Sequence, residues 1–219
     1  MFADRHDAGR MLAQALLRYA GTSPLVLGLP RGGVPVADEV ARTLDGDLDV
    51  WVARKLGAPF QPELGMGAIA EGPAVVLDRS MVRMLGITRA QLLEVARREM
   101  GEVRRRVERF RGGRTPPDLR DRTVILVDYG IATGGTMRAA VRAVKKRRPA
   151  RLVVAVPVAP PDTIAAIRRE VDDVVCLHEP EALLAIGLWY EDFRQVRDDE
   201  VVRILEHTAR AGCETGTPP

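Results

Sequence analysis

The sequence has few aromatic residues, 4% of the chain, and only 2 cysteines and 3 histidines. Cys176 lies in an apolar stretch and Cys213 close to the C-terminus, so the chain can build neither a disulfide framework nor a cysteine metal cluster. A reducing compartment is the simplest setting. His6, His178 and His207 are scattered, without metal-ligand spacing. No apolar run approaches the roughly 20 residues that cross a bilayer, and Met1 to Ala20 lacks the flank, apolar stretch and cleavage site of a secretory signal. The expected location is therefore the cytoplasm. No serine or cysteine occupies a nucleophile elbow, and neither glycine loop ends in Gly-Lys-Ser/Thr, which excludes a mononucleotide P-loop.

What is present is a chain of 219 residues, 46% hydrophobic, with 33 Lys+Arg against 30 Asp+Glu. That length suits one α/β domain and can bury a core, and the apolar content excludes disorder over most of the chain. Apolar spacing at Ala8, Met11, Leu12, Ala15, Leu16 and Tyr19 predicts an opening helix. Leu25 to Leu29 reads as a strand running into Pro30-Arg31-Gly32-Gly33, after which helical spacing resumes through Leu44. A second strand is predicted over Leu48 to Ala53, ending in Arg54-Lys55, and the Gly/Pro-rich stretch that follows, to Gly67, reads as a mobile lid.

Ala68 to Leu77 predicts a hairpin, and Thr88 with Gln91 has capping-box spacing at the head of a long helix to about Phe110. Further strands are expected at Thr123 to Val127, Leu152 to Val156 and Val174 to Leu177, with helices at Met137 to Lys146, near Thr163 to Arg169, and at Asp198 to Ala211. Strands alternating with helices imply a parallel sheet covered on both faces. The expected organisation is one domain over 1–211: a core of about 1–56 and 118–178, an insertion of about 57–117, and a C-terminal hood and helix over about 179–211. Residues 212–219 read as a disordered tail.

The segment from Val124 through Asp128-Tyr129-Gly130-Ile131-Ala132-Thr133-Gly134-Gly135-Thr136 carries the most chemistry. A buried strand runs into an acidic residue and then into a loop of glycines and hydroxyls that opens a helix. Backbone N–H groups and the hydroxyls of Thr133 and Thr136 can hold a phosphate at a helix N-terminus, while Asp128 can accept hydrogen bonds from sugar hydroxyls. The two glycines after Arg31 let backbone amides approach an anion, and Arg31 adds planar donors.

This segment resembles the phosphoribosyl-binding signature of the type I phosphoribosyltransferases: strand, two acidic residues and a T-G-x-T loop. Here the second acidic position is Tyr129, whose phenol carries no charge near neutral pH. Ala132 stands where purine-salvage members have a further aspartate, so no side-chain base is available there. Pro30 to Gly33 resembles the family's diphosphate loop. The resemblance implies an α/β fold whose parallel sheet is flanked by helices, with a small hood and an inserted arginine-rich helix.

It further implies transfer of a phosphoribosyl group from 5-phosphoribosyl 1-diphosphate to a nitrogenous base, with Mg²⁺ carried mostly by substrate oxygens and water near Asp128. Asp128, Arg31 and Lys55 are then the catalytic candidates. Tyr129, Ala132, Thr133, Gly134, Gly135 and Thr136 join Asp128 around the phosphoribosyl group. Gly32, Gly33, Arg54 and Lys55 join Arg31 around the diphosphate. Leu183, Trp189 and Asp192 stand where the hood of purine phosphoribosyltransferases walls the base, and a homodimer is the family habit.

Two other readings remain open. Tyr129 and Leu183 fit a binding or regulatory module with weak or no catalysis. The arginines at 97–114 could bind nucleic acid, although interleaved glutamates and the lack of a recognition motif favour a solvated helix face. Gly65 to Ala70 matches a dinucleotide fingerprint on paper, without the strand and helix that would support it.

Overall fold

The structure, a computed structural model, describes residues 1–72 and 74–214. Five strands form a parallel sheet: β1 (Leu25–Gly28), β2 (Asp47–Val50), β6 (Thr123–Val127), β7 (Arg151–Val158) and β8 (Asp173–His178), in the order β2-β1-β6-β7-β8. Helix α2 (Gly33–Leu44) carries the chain from β1 outward to β2, whereas α5 (Gly135–Lys145) and α6 (Pro161–Arg168) carry it from β6 the other way. The winding direction therefore reverses between β1 and β6, and a crevice opens beyond their carboxyl ends.

Both faces of the sheet are covered, as the near-continuous apolar strands require. Val26, Ile125, Val127 and Val153 join one core with α1 (Arg5–Ala15), α2 and α7 (Asp198–Glu214). Their strand neighbours Leu25, Leu27, Leu126 and Val154 join the other with α5 and α6. Residue by residue, the strands feed the two cores alternately.

The segment expected as a lid is sheet. β3 (Ala53–Ala58), β4 (Gln61–Ala70) and β5 (Ala74–Leu77) form an antiparallel sheet that turns at Pro59-Phe60, so Arg54 and Lys55 lie within β3 and not at the end of β2. Two of the three glycines that suggested a loop are places of close backbone approach. A Cβ on Gly57 would lie 2.1 Å from the Pro62 carbonyl oxygen, and one on Gly67 equally close to that of Val76. The hairpin expected at 68–77 is β4–β5.

A short helix, α3 (Arg79–Met84), capped by Asp78, was not legible in the apolar spacing. It precedes α4 (Arg89–Arg111), which opens on the expected Thr88/Gln91 capping box and ends at left-handed Gly112. Not all of its arginines are solvated. Arg111 is buried, with Nε 2.9 Å from Asp49 Oδ2, Nη2 2.9 Å from Glu71 Oε1, and a hydrogen bond donated to the Val50 carbonyl at 2.7 Å. α7 runs three residues past the expected Ala211 end, to Glu214; the rest of the expected tail, 215–219, lies outside the described residues. Among the described residues no helix is long and apolar enough to cross a membrane.

Candidate functional site

The crevice between β1 and β6 holds a cavity of about 540 Å³ lined by Pro30–Gly32 on one side and Asp128–Met137 on the other. Glycine is what lets these loops meet. A Cβ on Gly33 would lie 2.8 Å from the Val127 carbonyl oxygen and 2.9 Å from Asp128 Cα, so α2 begins directly against the acidic residue. The Pro30–Arg31 peptide bond is cis.

Across the cavity, Gly134 adopts φ 75° and α5 starts at Gly135 without a side-chain cap. Its first N–H groups therefore remain open to an anion, with Thr133 exposed beside them and Thr136 half-buried in the first turn. Asp128 sits at the cavity floor, its Oδ1 accepting the Tyr129 backbone N–H at 2.8 Å. Burial pushes its carboxyl up to about 7, only partly opposed by that hydrogen bond and by Arg5.

Tyr129 stands on the same wall. Its ring is 5.6 Å from that of Phe193 and 5.3 Å from the Arg5 guanidinium, which also lies 4.3 Å from the Phe193 centroid. Tyr190 donates a hydrogen bond to the Tyr129 carbonyl at 2.5 Å. Arg5 reaches this place because the N-terminus is tied to the hood: Phe2 donates to the Trp189 carbonyl at 2.8 Å and accepts from Glu191 at 2.9 Å. Its Nε is buried and has no hydrogen-bond partner among the described residues.

The cations divide between two spaces. Arg31 lines the main cavity, with Nη1 3.6 Å from Asp198 Oδ1, while Asp198 Oδ2 lies 2.9 Å from Arg109 Nε. Arg54 and Lys55 instead line an adjoining cavity of about 390 Å³, which shares Ala53, Arg106 and Thr136 with the first. Arg54 donates through Nε to Glu99 of α4 at 2.7 Å, and Lys55 is exposed, its stem against Gly65.

The hood is arranged differently from its sequence resemblance. Leu183 and Trp189 do not line the cavity, and the Trp189 ring packs 5.1 Å from His178. Asp192 is engaged by Arg194, at 2.5 Å from Nη2. Phe193 and Gln195 line the cavity instead.

Arg5, Arg106 and Gln195 were missed by sequence reasoning. For Arg106 a signal existed, since Val95, Glu99, Val103, Arg106 and Phe110 follow one another at helical spacing on the buried face of α4. For Arg5 and Gln195 the contacts span nearly the whole chain, and no local pattern announces them. No cluster of three or more His, Cys, Asp or Glu able to hold a metal occurs among the described residues.

The fold and cavity define an open parallel α/β protein with its site at the switch point of the sheet, built from a glycine loop and a helix N-terminus beside an acidic residue. A family model described as "Phosphoribosyl transferase domain" matches residues 4–186, and the chain belongs to that family. It is 47% identical over 216 residues to proteins from two strains of Mycobacterium tuberculosis that are named provisionally as phosphoribosyl transferases. The match covers 99% of this chain and 49% of each relative, so the chain spans about half the length of these curated relatives. It resembles the crystal structure of TT1426 from Thermus thermophilus with a TM-score of 0.81 and 44% identity, covering 94% of this chain and 98% of that one. A shorter match, 38% over 77 residues, covers 34% of this chain and 37% of the uracil phosphoribosyltransferase of Lactobacillus gasseri.

Proposed function

We propose that the chain transfers a phosphoribosyl group from 5-phosphoribosyl 1-diphosphate to a nitrogenous base, releasing diphosphate. The observation that carries this reading is the pairing of Asp128 and the open N-terminus of α5 with the Pro30–Gly33 loop across one cavity. Thr133 to Thr136 hold the 5-phosphate, Asp128 accepts from the ribose hydroxyls, and Arg31 faces the diphosphate. The C1–O bond to diphosphate breaks and a C1–N bond forms, the base's proton leaving to solvent or diphosphate. Positive charge develops on the sugar in the transition state, so positioning and electrostatics supply the catalysis, with no covalent enzyme intermediate.

A Mg²⁺ ion fits the donor set only as a substrate-borne ion. The described residues offer no acidic cage, and Asp128 is one carboxylate beside a phosphate site. When bound with the substrate, such an ion would supply positive charge to the diphosphate beside Arg31.

Tyr129 in the second acidic position supports a second reading, a module that binds the phosphoribosyl group with weak or no transfer. Calorimetric titration with 5-phosphoribosyl 1-diphosphate and Mg²⁺, followed by diphosphate release across a panel of purine and pyrimidine bases, separates the two. Binding with release establishes the transferase, and binding without release establishes the module. Absence of binding removes both. The nucleic-acid reading of 97–114 has less support, because several of these arginines are taken up internally: Arg98 by Glu99, Arg105 by Glu102, Arg109 by Asp198, and Arg111 in the core.

A further inference from the structure

Arg106 differs from its neighbours on α4. It is half-buried and faces both the main and the adjoining cavity, yet its side chain makes no ion pair or hydrogen bond among the described residues. The nearby charges are mostly of the same sign. Burial comes first, then Arg54 and then Arg31, in pushing the guanidinium below its ordinary pKa, with Arg105 adding to them and Asp198 opposing. From the other elements packed around it come Arg31 on the loop after β1, Arg54 on β3 and Asp198 on α7. Asp198 is already engaged by Arg31 and Arg109, Arg54 by Glu99, and Glu102, one turn back on α4 and within electrostatic reach of Arg106, by Arg105. A desolvated cation in such company is costly unless an anion joins it.

We propose that Arg106, which lines both the cavity of Arg31 and that of Arg54, is a diphosphate-binding residue that receives the leaving group of the sugar substrate. This rests on the phosphoribosyl reading of the main cavity. It assigns the inserted helix a chemical role: α4 reaches over the site and presents a planar, permanently charged fork to the one substrate group that departs with most of the negative charge. Arg54, held by Glu99, then serves as the flank of this cation as much as a ligand itself.

The test is calorimetric titration of the wild-type chain, Arg106→Gln, Arg106→Lys and the neighbouring surface variant Arg105→Gln. The probes are inorganic diphosphate with Mg²⁺ and, separately, ribose 5-phosphate. Arg106→Gln is expected to weaken diphosphate about tenfold or more while leaving ribose 5-phosphate within about twofold. Arg106→Lys should recover part of the loss, and Arg105→Gln should bind both probes as wild type does.

A purely structural arginine would behave differently, since its loss would lower the melting temperature. For Arg106→Gln the ligand-free melting temperature is expected to stay level or rise, because like-charge repulsion is relieved. Unchanged diphosphate affinity, equal weakening of both probes, or a melting temperature lowered by several degrees would each overturn the assignment. If wild type binds diphosphate in an Arg106-dependent way but does not bind ribose 5-phosphate, the phosphoribosyl reading fails, and Arg106 stands as a diphosphate-binding residue without the leaving-group role.

Discussion

The ring of Tyr129 lies against the backbone of Gly32: a Cβ on Gly32 would sit 2.5 Å from Tyr129 Cδ1 and 2.8 Å from Cε1. The residue that departs from the family's acidic pattern thus packs on the loop proposed to hold diphosphate. Gly32→Ala is expected to cost about 1–3 kcal/mol by overpacking. In a Tyr129→Ala background the same change should cost less, with a coupling of about 0.5–3 kcal/mol in a denaturant double-mutant cycle. Additive costs would show that the ring yields freely.

Tyr129→Asp exchanges that packing for charge. The variant should melt lower than wild type, since the ring's contacts with Gly32, the Arg5 guanidinium and the tilted Phe193 ring are lost. It should also bind 5-phosphoribosyl 1-diphosphate with Mg²⁺ more tightly. Titration showing no gain in affinity would remove Tyr129 as the reason for weak binding or weak transfer.

Asp128 gives the protein a pH dependence with a definite sign. Its carboxyl is pushed up to about 7 in the folded chain, above the ordinary 3.8, so between those values the folded state holds more protons than the unfolded one. Stability from this group is therefore greatest at acid pH and declines as pH rises toward 7. At about 1.36 kcal/mol per pKa unit the ceiling is about 4 kcal/mol, reduced by Asp128's partial exposure to the cavity. Asp128→Asn should be more stable than wild type at pH 8, with the difference vanishing near pH 4. It should also abolish any rise in phosphoribosyl affinity between pH 6 and 8. A difference in unfolding free energy that is constant across pH would contradict the shift.

Removing Arg111 should be among the most damaging single changes. Arg111→Ala leaves Asp49 and Glu71 without their shared cation, at a cost of about 3–5 kcal/mol. Burial already raises the Glu71 pKa, against the pull of Arg111, and losing that pull raises it further. Glu71 then takes up a proton more readily in the folded variant, so the deficit should shrink as pH falls from 7 to 5. Urea unfolding at the two pH values measures it; a deficit that grows toward pH 5 would mean Glu71 is not the strained group.

The sheet, its helices and the two loops at its reversal were legible because each rests on local pattern. Apolar strands ran into glycine loops, and helical spacing followed at once. The β3–β4 hairpin was not, because glycine marks close strand approach and flexible loops alike, and only the neighbouring backbone at Pro62 and Val76 tells them apart. Arginine on α4 was ambiguous for a similar reason. The same residue type is exposed at 105, buried among carboxylates at 111 and cavity-facing at 106, and what sorts them is the helix face presented to β3 and α7. The hood is a matter of longer range: Phe193 and Gln195 line the cavity, and Phe193 packs against Tyr129, more than sixty residues earlier in the chain, where no local pattern joins them.

Helix α4 is held by ion pairs at its middle and at its C-terminal end. Glu99 grips Arg54 on β3, and Arg111 is anchored between Asp49 and Glu71, with Arg106 between these two points on the same helix. A rod pinned at two places can neither roll nor slide a turn without pulling one pin out. The guanidinium of Arg106 is thus set at a fixed height over the crevice, as a stop is set on a shaft. Asp49 and Glu71 do not line the cavity, and substitutions there would reset that height, altering how the site grips its ligand without touching it.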